Sequence, residues 1–471
     1  MTLGPGSPAL ALGQALAARD LSAAELMRAT LDQIDAVNGR VNALVALRDH
    51  DVLLHAAAEA DATERTGWLH GIPIAIKDLA NAAGFPTSMG SPLFAGQIAA
   101  QDDIMVARLR AAGAIVIGKT NTPQFGLASH STNPVFGATR NPYDPRRSAG
   151  GSSGGAAAAL ACGLLSIADG SDMMGSLRNP AGWNNVYGMR PTWGLVPSEP
   201  QGDAFLHQLA TNGPMARCPR DLAALLDTMA GPDARQPHGL SQPPSLPQID
   251  GHLAGPRIGW LADWGGALPM EAGVLDLCAD ALRQFGDLGC DVEPLGAPFE
   301  RDALWSSWTT LRSFAVAGGL APLYHDPAKR AQLNPQAIWE IERGLALTAL
   351  QIHAASVIRT DWFKIAVDLF HRYDVLALPS AQMWPFDVTM DWPREIAGTT
   401  MDTYHRWMEV VVPASLIGLP AICVPAGFGG PDDLPMGLQL IGPRGSDARL
   451  LQLAEAWHRA TAWTTRRPPP G

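Results

Sequence analysis

The stretch from Gly150 to Arg178 limits what this chain can fold into more than any other part of it. GGSSGG at 150–155 is followed by a run of small residues and then by SDMMGSLR at 171–178. Glycine turns backbone N–H groups toward a ligand without interference from a Cβ, so two such clusters 24 residues apart, counted from Ser152 to Ser176, can build one nucleophile site with an oxyanion hole.

Upstream, HGIPIAIKD spaces Ile72, Ile74 and Ile76 as a half-buried strand requires. Lys77 and Asp78 stand at its carboxyl end, where open α/β sheets place their ligands. A lysine and two serines are the parts of a hydrolase that works without histidine.

Two other motifs match the same region formally and fail on context. GAIVIGKT at 113–120 fits the phosphate-binding loop pattern, but Ala114 to Ile117 read as a buried strand, whose paired N–H groups cannot cradle a phosphate. Gly150 to Gly154 fits the G-x-S-x-G nucleophile elbow, which would make Ser152 the nucleophile of an α/β-hydrolase-type esterase. That elbow needs a strand directly before it, and NPYDPRR at 141–147 is turn-rich instead.

The 471 residues, 47% of them hydrophobic, are enough for a large core in a single α/β domain spanning 1–471. A net charge of −11 without a basic run argues against a nucleic-acid partner. Five cysteines at 162, 218, 278, 290 and 423 form no CxxC, and twelve histidines show no ligand spacing, so neither a metal nor a cofactor is expected. No run of 18 apolar residues and no charged leader is found, which predicts a soluble cytoplasmic protein without a membrane partner.

Along the chain, Ser22-Ala23-Ala24-Glu25 is a capping box that opens an amphipathic helix ending near Gly39. Strand and helix patterns then alternate: a strand at 72–76, a helix from Asp103 to Leu109, a strand at 114–117 and an alanine-rich helix after Gly155. Such alternation predicts a central mixed, twisted β-sheet covered by helices on both faces. Residues 20–230 and 372–460 form the expected core, with strands at 375–380 and 421–425. Residues 231–256, rich in Pro and Gly, are expected as a linker. Residues 257–371, with amphipathic helices at 271–290 and 336–371, are expected as a helical cover. Trp305, Trp308, Phe314, Trp339, Trp362, Trp384 and Trp407 are expected to pack there or to line an apolar slot.

GIPIAIKD, AGAIVIGKTNTPQFG, RSAGGSSGGAAAALACG, DMMGSLRNPA and GLPAICVPAGF with LPMGLQLIGPRG fall in the order seen in amidase signature enzymes, and the chain resembles that family over roughly residues 20–460. The resemblance implies the amidase signature fold and a Ser-cisSer-Lys triad of Ser176, Ser152 and Lys77. Ser176 would attack an amide carbon, Ser152 would relay its proton to a neutral Lys77, and the backbone N–H groups of Met173, Met174, Gly175 and Ser176 would hold the oxyanion. Ser153 is expected to assist Lys77 or to cap the following helix, and Asp172 with Arg178 to hold the loop in shape. Met174 stands where the family commonly has glycine. The run MMGSLRNPAGWNNVYGMRP is most similar to enzymes related to 6-aminohexanoate cyclic dimer hydrolase. These features imply a small amide or carbamate as substrate, apolar, aryl or oligoamide in character, and allow a homodimer. The A subunit of a glutamine-dependent tRNA amidotransferase shares the triad and is the alternative.

Overall fold

A fully buried strand ends in a lysine. The computed structural model describes residues 3–251, 255–467 and 469. The isoleucine alternation ends in a strand at Pro73–Lys77 (β2), buried throughout, which lies parallel to Ile115–Thr120 (β3), itself antiparallel to Leu44–Val45 (β1). β3 is therefore paired on both edges, and its GKT segment is sheet, not a phosphate loop.

Among the described residues a second sheet has eight strands: β4 (Ile167–Asp172), β5 (Tyr187–Arg190), β6 (Thr211–Ala216), β7 (Arg257–Trp260), β8 (Asp291–Pro294), β9 (Val375–Pro379), β10 (Ala421–Gly429) and β11 (Leu434–Ile441). Their order is β8-β7-β9-β11-β10-β5-β6-β4, parallel along β8-β7-β9 and antiparallel elsewhere. This is the expected mixed sheet, and the three-stranded sheet stands beside it. β2 and β4, the facing edges, pack together without a ladder, and the Lys77 backbone N–H donates to Asp169 Oδ1 at 3.0 Å across the join.

The helix Gly154–Ala161, built from glycine, alanine and one leucine, is buried from Gly154 to Leu160 and packs against β3 and β4. A helix apolar on every side has no solvent face to present, and its small side chains let the neighbouring backbones come close. The capping box forms as expected at Ser22 and Glu25, and its helix runs through Val41 to a left-handed Asn42.

One expected boundary changes. Residues 257–294 supply β7, β8 and the helix Val274–Asp287, which packs on the sheet, so the cover begins at Arg301 and not at 257. An apolar helix stripe has the same period whether it faces a sheet or other helices, so the pattern could not assign its partner. The cover consists of the long helix Arg301–His325 with Pro335–Leu345 and Ala349–Phe370 packed along it. Of the expected linker 231–256, residues 252–254 lie outside the described residues. The part before them is tied down, with the N–H groups of Ser245 and Leu246 donating to the Asp227 carboxylate and Ile249 buried.

Candidate active site

Lys77 is 1% exposed, and its ammonium group is surrounded by hydroxyls. Nζ lies 2.8 Å from Ser152 Oγ, 2.8 Å from Ser153 Oγ, 3.0 Å from Ser171 Oγ and 3.4 Å from the Ser171 carbonyl. Ser152 and Ser153 reach it from the turn before the buried helix, where the Gly151–Ser152 peptide is cis. Ser131, which the motifs did not single out, supports this turn. Its hydroxyl donates to the Ser152 carbonyl at 3.2 Å and accepts from the Gly154 N–H at 3.0 Å. That bond takes the capping role expected of Ser153, whose own side chain makes no cap. Ser153 instead donates to the Ser171 carbonyl at 3.3 Å and turns its lone pairs to Lys77. No strand precedes this turn, only isolated bridges at Arg147 and Ser148, so the elbow geometry is missing.

Ser176 stands just beyond the end of β4. Asp172 organises this turn, accepting from the N–H groups of Gly175 at 2.9 Å and Leu177 at 3.2 Å. Arg178 grips the same carboxylate through Nε and Nη2, both at 3.0 Å, and Arg190 adds Nη1 at 3.1 Å. Asp172 and Arg178 thus hold the loop. Met174 does not take a left-handed conformation; Gly175 does, at φ 75°, and a Cβ there would meet Val411 at 2.8 Å. The turn needs glycine at 175 and tolerates a side chain at 174. Among the described residues the N–H groups of Met173, Met174 and Ser176 find no acceptor within the protein. Gly175, expected with them, is engaged with Asp172, which leaves three donors of the expected four.

Ser152 and Ser176 line one cavity of about 330 Å³, together with Ser171 and the apolar side chains of Leu79, Met89, Phe125, Val316, Leu320 and Met408. Met174 also faces it and is otherwise buried. None of the seven expected aromatic residues lines this cavity. Trp407 stacks on Trp183 at 5.1 Å and Trp362 meets Trp264 edge-on at 5.5 Å, so these rings serve the core and the seam between cover and sheet. Their large apolar areas are best satisfied there.

Burial lowers the Lys77 pKa to about 7, against the opposing pull of Asp169 and Asp172. Asp169 is itself raised to about 6 by burial, while the hydrogen bond from the Lys77 N–H and the nearby Lys119 and Lys77 charges resist that rise. For Asp172 burial also favours the neutral acid, but Arg178 and Arg190 outweigh it and hold the carboxyl well below its usual range. Sequence reasoning missed Asp169 and Ser171. A signal was present: two polar residues at i and i+2 in the strand IADGSD share one face of a strand that is otherwise buried.

Among the described residues no group of three or more His, Cys, Asp or Glu side chains is placed to hold a metal ion, and no helix is long and apolar enough to cross a membrane.

Comparison with known proteins gives a consistent picture. The family model described as Amidase matches residues 25–451. An acylamidase of Rhodococcus erythropolis is 33% identical, with 97% of this chain and 96% of the relative covered. The A subunit of the glutamyl-tRNA(Gln) amidotransferase of Thermus thermophilus is 34% identical over 96% of this chain and 97% of its own. Among solved structures, a bacterial aryl acylamidase of the amidase signature enzymes superposes with a TM-score of 0.91 at 28% identity, covering 97% of both chains. A 6-aminohexanoate cyclic dimer hydrolase complexed with substrate superposes at 0.88 and 26% identity, covering 98% of this chain and 99% of the other.

Proposed function

This chain belongs to the amidase signature family, and from that premise we propose that Lys77, Ser152 and Ser176 carry out its chemistry. The protein is an amidohydrolase that cleaves a carbon–nitrogen amide bond. The observation that carries the assignment of roles is the 2.8 Å contact between a buried Lys77 Nζ and Ser152 Oγ, a hydroxyl that shares its cavity with Ser176.

A neutral Lys77 has two N–H groups and one lone pair. With Ser153 and Ser171 accepting the two N–H groups, the lone pair faces the Ser152 hydroxyl and can take its proton. Ser152 then accepts the proton of Ser176 as the Ser176 oxygen bonds to the amide carbon. The carbonyl oxygen becomes an oxyanion, for which the N–H groups of Met173, Met174 and Ser176 are the available donors. One such donor is typically worth about 10²–10³ in rate. As the C–N bond breaks, the proton returns through Ser152 to the departing amine, leaving Ser176 acylated. Water attacks the ester, gives its proton to the same relay, and restores the Ser176 hydroxyl as the acid leaves.

The cavity supports an apolar, aryl or oligoamide substrate, or the corresponding carbamate. Its lining is largely aliphatic and thioether, and among the described lining residues no acidic side chain is available for the α-ammonium of glutamine. This observation favours a stand-alone hydrolase over a component of an amidotransferase. An esterase with Ser152 as nucleophile would need the strand that is absent before Gly150. The same proposal places the enzyme in the cytoplasm, in keeping with five unpaired cysteine thiols, acting on a small molecule and not on a nucleic acid.

The test is amine release by the purified chain alone from an anilide, a linear aliphatic amide, an aryl carbamate, the cyclic dimer of 6-aminohexanoate and glutamine. Turnover of the apolar amides that disappears in Ser176→Ala is expected. Activity on glutamine alone would reverse the substrate assignment, and full activity in Ser176→Ala would remove that serine from the mechanism.

A further inference from the structure

The cavity that holds Ser176 has one charged side chain among its described lining residues, Arg312 of the long cover helix. Its guanidinium is buried and mostly committed. Nε donates to Glu340 Oε1 at 2.6 Å and Nη2 to the Tyr404 hydroxyl at 2.7 Å, and Tyr404 in turn donates to Glu340 at 2.9 Å. Ser313 donates to the second Glu340 oxygen at 2.6 Å, so the carboxylate is fully engaged. Nη1 is different. Its partner is the thioether sulfur of Met173 at 3.2 Å, and a thioether is among the weakest acceptors a protein contains. A guanidinium nitrogen held rigidly at a cavity wall and covered only by sulfur is an under-used donor.

We propose that Arg312 is a specificity-determining residue, whose Nη1 donates to a second, neutral oxygen acceptor on the substrate. Glu340 already balances the guanidinium charge, so the site favours a carbonyl or ether oxygen over a carboxylate. The preferred substrates are diamides and other amides that carry such an oxygen beyond the scissile bond. On binding, that oxygen replaces the Met173 sulfur, and Glu340 and Tyr404 keep the guanidinium in place.

This proposal rests on the amidase reading of the same cavity, and the experiment separates the two. kcat/KM is measured for a matched pair of anilides of equal chain length, one with an alkyl acyl group and one with an internal amide carbonyl in that group. Turnover of the alkyl anilide by the wild-type enzyme tests the amidase reading by itself. The wild type is expected to prefer the carbonyl-bearing partner. In the double variant Arg312→Met with Glu340→Gln, which removes both buried charges together, that preference is expected to fall about 10–100-fold, chiefly through KM. Equal losses on both substrates would assign Arg312 a structural role only and overturn the proposal, as would an unchanged preference. If the double variant does not fold, Met173→Leu tests the same contact by removing the competing sulfur. The preference for the carbonyl-bearing substrate should then rise above wild type, and a ratio that stays level or falls would overturn the proposal.

Discussion

A single lysine sets the working range of the proposed mechanism. Burial brings Lys77 to about 7, so near neutrality about half of the molecules hold the amine able to accept a proton. Below that value the ammonium dominates. kcat/KM should therefore rise through an acid limb near pH 7, changing about tenfold per pH unit well below it. Asp169 opposes the shift, and since its own value is about 6, its carboxylate is charged where Lys77 titrates. Asp169→Asn keeps an oxygen for the Lys77 backbone N–H and removes the negative charge. The lysine then loses an interaction that favours its protonated form, and the limb should move to lower pH. A pH profile of kcat/KM on an anilide decides this; a limb that stays or moves upward would mean that Asp169 acts only as a hydrogen-bond acceptor.

At the scale of elements, β4 and the turn beyond it do most to place the proposed reacting groups. Asp169 and Ser171 face Lys77 from one side of the strand, and the next residue, Asp172, bends the chain so that three N–H groups are left free near Ser176. Gly175→Ala puts a side chain at φ 75° and against Val411. A left-handed conformation alone costs about 1–2 kcal/mol for a residue with a Cβ. The expected results are a lower Tm and, because the donors shift with the turn, a loss in kcat of about 10²–10³. Retained kcat with reduced Tm would show that the turn serves folding and not the oxyanion. The elements themselves were legible in sequence wherever the signal is local: the capping box at Ser22, the isoleucine period before Lys77, the small-residue run after Gly154. The two serines and the lysine were legible through motif order. Ser131, Ser171 and Arg312 were not, because isolated polar residues in strands, loops or long helices carry no periodic mark, and only the tertiary fold brings them to the site. The tryptophans could be read either way for a related reason, since abundance in a segment does not say whether rings face a cavity or the core, and the structure gives the packing alternative.

Across the whole molecule, parts far apart in the chain meet at one buried carboxylate. Asp172 holds Arg178 and Arg190, and Arg178 reaches on to the Val411 carbonyl, Ser415 Oγ and Gln439 on β11. The turn that carries Ser176 is thereby fastened to the strand that carries Gln439. Removing one partner of a buried ion cluster leaves the others uncompensated, at a cost of about 3–5 kcal/mol. Asp172→Asn preserves size and some hydrogen bonding but leaves two buried guanidinium groups without their anion. A marked fall in Tm at neutral pH is expected. Because the folded carboxyl is held well below its usual range, its stabilisation is present above the unfolded pKa of about 3.9 and is lost as pH falls through the folded value. The gap in Tm between wild type and variant should therefore be widest near pH 7 and should narrow below about pH 4. A gap that is constant with pH would mean that the variant loses geometry and not charge, and would separate the cluster's electrostatic role from its packing role.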